Sequence, residues 1–499
     1  MREKNVTTVG QIYKNNYSAD KPAILFKGEV ITYAQLDDRV MAFANLLKSK
    51  GVASGDKVIL NTVNSPEFVY IYLGTVRNAA IIVPINPMLT LEEMKYIASD
   101  SKAKFLVMHE GIMMKQGLTP DVLSEALGIT VIPIGESLIA EASSASRDDY
   151  DMVADGGEVS TFLYTSGTTG QPKAAMLTHD NLVTNAWQCV VNLEAREDDV
   201  LMCVLPMFHV FAFTTCILLP LIDGETIDIV ESFTPKTVIS ELIEKQVSLF
   251  LGVPAMYMIL VEAGKKDIKF PKLRTAVCGG SALPVEIYNQ VRETIGLPII
   301  EGYGLTEASP ACFFNPPSGT QKPGSIGKAM TGIDYRIGDE NDEDMPPGEV
   351  GELLLKGPNI MLGYYGREAE TAETLRNGWL HTGDLAKKDE DGYVYIVDRK
   401  KDMIIVSGLN VYPREVEEAL YKHPKIKDAA VIGVQDGLRG EKVMAYIVPK
   451  EGEEVHSKEI LRWLKERLAA YKIPRHIEFK EDLPRNSTGK IMKRMLREE

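Results

Sequence analysis

Cysteine is scarce in this 499-residue sequence: Cys189, Cys203, Cys216, Cys278 and Cys312 are the five, and no C-x-x-C pair occurs among them. That excludes a disulfide scaffold and fits a reducing, cytoplasmic compartment. Positive charge is in deficit too. Fifty-five Lys+Arg stand against seventy Asp+Glu, a net charge of −15. Sequence-independent binding to nucleic acid or anionic lipid runs on clustered Lys and Arg, so neither partner is expected. The amino terminus, MREKNVTTVGQIYKNN, lacks the apolar centre of a signal peptide. Internal repeats and low-complexity tracts are missing. One long uncharged run exists, 23 residues from Val200 to Ile222. Its length suits a membrane span, but Pro206 and Pro220 interrupt it, His209 sits inside it and Gly224 follows it. A buried strand, loop and helix of a soluble core is the expectation.

What is present is an ordinary globular mixture, 45% hydrophobic and 25% charged. The length suggests about three domains or subdomains. Leu36, Val40, Phe43 and Leu47 recur at helical spacing before the stop signal Gly51. Short β-rich runs follow at 57–60, 79–85, 104–109 and 129–134, and again at 160–165, 200–206, 275–279 and 298–300. Helical stretches such as LEEMKYIASD lie between them, a pattern that predicts parallel α/β sheets. Near residue 330 the strands shorten and fill with Gly and Pro, which predicts a small antiparallel or barrel-like unit. Beyond it, EVEEALYKH and KEILRWLKERLAAY read as helices, DAAVIGV and KVMAYIVP as strands. Residues 402–499 carry 19 basic and 17 acidic groups, whereas the first 401 residues carry 36 and 53. A slightly basic tail beside an acidic body predicts a separate domain.

The strongest chemical feature is Thr165-Ser166-Gly167-Thr168-Thr169-Gly170-Gln171-Pro172-Lys173, directly after a predicted strand. Its glycines let backbone N–H groups approach anionic oxygens, and its hydroxyls and lysine add donors, so it suits phosphate. It is not a Walker A loop, which needs G-x-x-x-x-G-K-[ST]. Taken alone, it could be a Ser/Thr/Gly-rich surface turn.

Together with Tyr303-Gly304-Leu305-Thr306-Glu307, Thr382-Gly383-Asp384, Asp398-Arg399-Lys400-Lys401-Asp402 and Pro484-Arg485-Asn486-Ser487-Thr488-Gly489-Lys490, the loop resembles the adenylate-forming superfamily. That group includes acyl-CoA synthetases, peptide-synthetase adenylation domains and luciferases. The five motifs stand in the family's order, and the similarity spans nearly the whole chain. One departure is Ala174, where members commonly have glycine, and it implies no more than altered loop mobility.

The resemblance implies an α/β fold: a large N-terminal domain of two α/β subdomains plus a small β-barrel-like subdomain, residues 1–400, and a small mobile α+β C-terminal domain, residues 401–499. It also implies a reaction. A carboxylate attacks the α-phosphorus of ATP, pyrophosphate leaves, and a thiol of coenzyme A then takes the acyl group. Both first-step reactants are anions, so the site must neutralise charge. By the family pattern, Thr165, Ser166, Gly167, Thr168, Thr169, Gly170 and Lys173 cover the β- and γ-phosphates. Thr306 bonds phosphate oxygens and Glu307 holds Mg²⁺, a hard ion suited to oxygen ligands. Tyr303, next to Gly304, stacks on adenine, and Gly279, Gly280 and Ser281 line the adenine site and the acyl tunnel. Asp384 and Arg399 take the ribose, Lys490 contacts the substrate carboxylate and α-phosphate, Gly408 faces the site during thioester formation, and Lys401 is the hinge.

Taken singly, each has a plainer reading. Tyr303 could be a core aromatic, Asp384 a turn residue, Arg399 a surface ion pair, His209 a satisfied core histidine, and Lys490 one of a solvated basic cluster with Lys493, Arg494 and Arg497. By family position, Met207, Phe208 and His209 gate the acyl site, with Val253, Met256, Tyr257, Cys278, Gly280, Ala308 and Pro310 as candidate walls. None of these walls is charged, which disfavours dicarboxylates and amino acids. The stretch 377–401 is similar to the fatty acyl-CoA synthetase signature, and no carrier-protein segment follows. The expectation is a freestanding fatty acyl-CoA synthetase for medium to long chains, dependent on ATP, Mg²⁺ and CoA. Rivals are a CoA ligase for aromatic or short branched acids, a non-catalytic scaffold, and a luciferase-like oxygenase. Homodimers are common among members. Amphiphilic substrates fit peripheral membrane contact, although no basic amphipathic helix advertises it.

Overall fold

A computed structural model describes residues 4–15, 18–148, 154–166, 171–265, 267–297, 299–406, 408–436, 440–486 and 489–497. Threonine starts several of the long helices. Thr32, Thr90 and Thr178 each accept from the backbone N–H three residues on, and the Gln35, Glu93 and Asn181 side chains return the bond. Each such box satisfies donors that a helix start otherwise leaves open, a contribution of about 1 kcal/mol. The predicted stripe Leu36, Val40, Phe43 and Leu47 is buried on the helix Tyr33–Ser49.

These helices alternate with strands to give two sheets. Seven strands run in the order Gly363–Tyr364, Pro172–Thr178, Val159–Ser166, Ile81–Pro84, Lys57–Asn61, Phe105–His109, Thr130–Ile134. The first three are antiparallel and the rest parallel. Nine strands form the second sheet, with a parallel centre that includes Thr226–Ile229, Leu249–Gly252 and Thr275–Cys278. Every residue of these three is buried, as strands covered on both faces require. The five cysteines are buried free thiols.

The uncharged run 200–222 resolves as expected. Val200–Cys203 is a strand of the nine-stranded sheet, a loop carries His209, and the wide-turn helix Phe213–Leu218 leads into Leu219–Asp223. Gly224, at φ +80°, ends it. Among the described residues, no helix is long and apolar enough to cross a membrane.

After residue 330, Asp334–Gly338, Gly351–Lys356, Leu380–Lys388 and Val394–Arg399 pair in that order as an antiparallel sheet. Among the described residues it is an open sheet rather than a closed barrel. Its register sets Asp384 directly opposite Arg399.

The small C-terminal domain packs Val416 and Leu420 of the helix Pro413–Tyr421 and Ile460 and Leu464 of the helix Ser457–Lys465 against Val431, Val443 and Ile447. The second helix is shorter than its periodicity predicts: Leu468 turns onto this core and Ala469 is extended, so 470–472 form a separate turn. Arg414 ties this domain to the body. Its N–H donates to Asp398 Oδ2 at 2.9 Å, and its guanidinium donates to the Ile396 carbonyl at 2.8 Å and lies 3.9 Å from Glu301 Oε1.

Candidate active site

The hairpin of Val159–Ser166 and Pro172–Thr178 brings Thr165 opposite Lys173. Gly167, Thr168, Thr169 and Gly170, and the Ser166 side chain, lie outside the described residues. Lys173 is 10% exposed along its side chain. Its ammonium lies 2.6 Å from Glu370 Oε2 and 4.2 Å above the Tyr364 ring. The neighbouring Ala174 methyl is buried in the core with Ile59, Val83 and Phe162, so this departure bears on packing.

On the nine-stranded sheet, the strand Ile299–Gly304 ends in a single turn, Thr306–Ala308. A side chain at Gly304 would collide with the Pro310 carbonyl, so glycine is required for the chain to double back there. The turn presents Glu307, whose Oε1 accepts from the Tyr364 hydroxyl at 2.7 Å. Glu307 can take a hard cation: one oxygen has a single donor, and a carboxylate with phosphate oxygens is the usual Mg²⁺ environment. Among the described residues no cluster of three or more His, Cys, Asp or Glu forms a metal cage.

Tyr303 and Asp384 meet directly. The phenol donates to Asp384 Oδ2 at 2.6 Å, while Arg399 Nε sits 3.4 Å from Oδ1. Thr382 fixes the turn by accepting from the Asp384 N–H at 3.1 Å and donating to the Leu353 carbonyl at 2.8 Å. Burial, and then the Asp384 charge, push the Tyr303 phenol well above its usual range, so it stays a proton donor. We expect Tyr303→Phe to raise the KM for ATP about 3- to 10-fold, or roughly 0.7–1.4 kcal/mol, with kcat changed less. An unchanged KM would show that the hydroxyl does not orient Asp384.

Lys490 comes to the same place from the tail. Burial, and then the Arg399 charge, lower its ammonium to about 8, while Asp384 and Asp402 act in the opposite direction. The turn before it seats against the body, because a Cβ on Gly489 would lie 3.6 Å from Val253 Cγ2. Asn486 Oδ1 accepts from the Lys490 N–H at 2.9 Å, Arg485 holds the Gly489 carbonyl and pairs with Asp428, and Arg497 pairs with Asp402 at 2.8 Å. His209 feels Lys490. Burial first, and that charge second, lower the imidazole to about 4. Its Nδ1 accepts from the Phe211 N–H at 3.2 Å, so it is a neutral ring with its proton on Nε2.

Other expected residues are placed differently. Gly408, at φ +81°, is in the exposed turn of the hairpin Ile404–Val406 and Leu409–Val411 and is not among the groups gathered around Asp384; Ser407 lies outside the described residues. Lys401 is exposed in the turn Lys400–Asp402. Ser281 is half-buried beside Gly280. Tyr257 and Cys278 are fully buried in the core beneath the nine-stranded sheet, where the Tyr257 hydroxyl donates to the Phe250 and Val277 carbonyls. They are packing residues here rather than walls. Ala308 and Pro310 are also buried, whereas Phe208 and Met256 are partly open. Sequence reasoning missed Phe211, whose ring lies where a Cβ on Gly279 would fall, at 3.0 Å, and borders Gly280. Its one signal was a position two residues past His209. Tyr364, Glu370 and Arg414 were missed as well.

Tyr303, Asp384, Arg399 and Lys490 thus gather in one region, and Tyr364 joins Lys173 to Glu307. The sequence also matches the family model for AMP-binding enzymes over residues 13–365, and that for the AMP-binding enzyme C-terminal domain over 415–490. The chain belongs to the AMP-binding enzyme family. It is 36% identical over 473 residues to a feruloyl-CoA synthase of Amycolatopsis sp, covering 94% of each chain. It is 33% identical over 517 aligned residues to a long-chain-fatty-acid–CoA ligase of Bacillus subtilis (strain 168), covering 96% of this chain and 92% of that one. The crystal structure of ATP-bound MatB from Rhodopseudomonas palustris superposes with a TM-score of 0.93 at 31% identity, over 99% and 98% of the two chains. This AMP-binding enzyme is an acid–CoA ligase of the adenylate-forming superfamily.

Proposed function

We propose that the chain is a fatty acyl-CoA synthetase for medium to long chains, using ATP with Mg²⁺ and transferring the acyl group to CoA. The observation that supports the substrate class is the apolar border of the Gly279–Gly280 turn. The His209 ring is neutral, Phe211 borders Gly279 and Gly280, and Val253 borders Gly280; apolar neighbours such as these offer no countercharge to a second carboxylate or an amine. Each buried CH₂ of an alkyl chain adds about 0.8 kcal/mol in such surroundings.

In this reading Lys490 draws the substrate carboxylate and the α-phosphate together, and its charge offsets the repulsion between them. Lys173 takes the terminal phosphates, with Thr165 and Thr306 as further donors. Asp384, held by Tyr303 and Arg399, accepts from the ribose hydroxyls. Mg²⁺ on Glu307 would supply charge neutralisation at the leaving pyrophosphate. His209, with its proton on Nε2, offers a neutral hydrogen bond beside the acyl carboxylate. After adenylation the tail turns about Lys401 and brings Gly408 to the acyl-adenylate, where a residue without a side chain admits the thiol arm.

An aryl acid is the second reading. Phe211 favours it, because its ring against Gly279 and Gly280 offers a flat stacking partner, and a feruloyl-CoA synthase is among the relatives. Pyrophosphate release across straight-chain acids of two to eighteen carbons, plus benzoate, cinnamate and ferulate, with and without CoA, separates the two. A maximum at eight carbons or more with stoichiometric thioester supports the proposal; a maximum on the aryl acids replaces its substrate. Phe211→Ala should move an aliphatic optimum to longer chains, and an optimum left in place would remove Phe211 from the acyl site.

A further inference from the structure

Lys173 has a countercharge before any nucleotide arrives. An ammonium this buried needs one, since an uncompensated charge away from water is costly. Glu370 supplies it at 2.6 Å, from a helix 197 residues further along the chain. The other Glu370 oxygen is 4.0 Å from Arg367 Nε, and Arg367 also pairs with Asp100 at 2.6 Å. Glu370 therefore has a second cation to fall back on when the lysine leaves it.

The segment carrying these groups crosses from one motif to the other. The Met361 N–H donates to the Glu307 carbonyl at 2.8 Å, and the Leu362 N–H to the Met176 carbonyl at 3.0 Å. Tyr364 then pairs with Ala175, one position past Ala174 and two past Lys173. Its ring supports the lysine by a cation–π contact, while its hydroxyl holds Glu307. One side chain thus touches both the phosphate-loop cation and the acidic residue of the second motif.

We propose that Glu370 and Tyr364 are positioning residues for the nucleotide phosphates: Glu370 keeps the Lys173 ammonium where a phosphate will replace it, and Tyr364 fixes the spacing between that ammonium and the Glu307 carboxylate. This rests on the roles given above to Lys173 and Glu307. Phosphate and Glu370 compete for one cation, so binding of triphosphate is weakened by the carboxylate, and departing pyrophosphate is exchanged for it. Tyr364 donates one hydrogen bond that limits the orientations open to Glu307.

Equilibrium binding of ATP, AMP and pyrophosphate to the full chain, titrated with Mg²⁺, tests this. Glu370→Gln should bind ATP 3- to 10-fold more tightly and be inhibited more strongly by pyrophosphate, whereas a merely structural role would loosen both. Tyr364→Phe, which keeps the ring, should raise the Mg²⁺ concentration for half-maximal ATP binding 3- to 10-fold and leave AMP binding unchanged. Unaltered or weaker ATP binding by Glu370→Gln, or an unaltered Mg²⁺ dependence in Tyr364→Phe, would overturn the proposal, with matching Tm values showing that both variants fold. Lys173→Ala and Glu307→Gln serve as controls. If they bind ATP and Mg²⁺ as the parent does, the underlying reading of the phosphate site has failed instead.

Discussion

Lys490→Ala should lower acyl-adenylate formation by ~10²–10³, the scale for removing one preorganised charge donor, and leave thioester formation from synthetic acyl-adenylate near the parent rate. Lys490 lies within the field of Arg399, Asp384 and Asp402 and acts in turn on His209, yet its backbone belongs to the tail, so only a reaction that needs the tail in this orientation should suffer. Equal losses in both half-reactions would refute the assignment. Its pH dependence gives a second, independent check. The ammonium is lowered to about 8, so the attracting form dominates below that pH and is lost above it. kcat/KM for adenylation should therefore fall as pH rises through about 8, and Lys490→Arg, which holds its charge far higher, should lose that limb. His209, already neutral above about 4, should contribute no limb near 6.5.

Lys401→Pro should preserve adenylation and block transfer to CoA. Lys401 lies in the short turn Lys400–Asp402, where helical φ values near that of proline are the norm. The substitution thus suits the orientation in which Lys490 reaches the site, and removes the freedom needed to leave it. Single-turnover measurements separate the two steps: accumulated acyl-adenylate with little thioester is the expected result. An unimpaired overall rate would show that the pivot lies elsewhere.

Both variants concern residues with strong sequence signals, and the difference from the missed residues is physical. Asp384 and Arg399 stand in recognisable strings, and the sheet register sets them face to face. Strands and helices were legible because burial imposes a period, as in Leu36, Val40, Phe43 and Leu47. Tyr257 and Cys278 were read as acyl walls because an apolar residue in a core and one lining a cleft look alike in sequence; only packing tells them apart. Glu370 belongs to a polar helix with no buried residues, and nothing local says that it faces Lys173. Arg414 is one of many tail cations until the fold sets it beside the buried Glu301. The amphipathic period of 458–471 overran its helix because periodicity is blind to the point where a chain turns onto its core.

The pairing of Asp384 with Arg399 has a mechanical consequence. Arg399 is the last residue of its strand, and the turn holding Lys401 begins at the next one. With the proposed pivot at Lys401, the ribose clamp ends flush with the axis of rotation and on its stationary side. The nucleotide then behaves as a workpiece gripped in a vice, while the tail acts as a turret that withdraws one tool, Lys490, and indexes another, Gly408, to the same spot. On that proposal the acyl-adenylate would not have to be carried from one station to another.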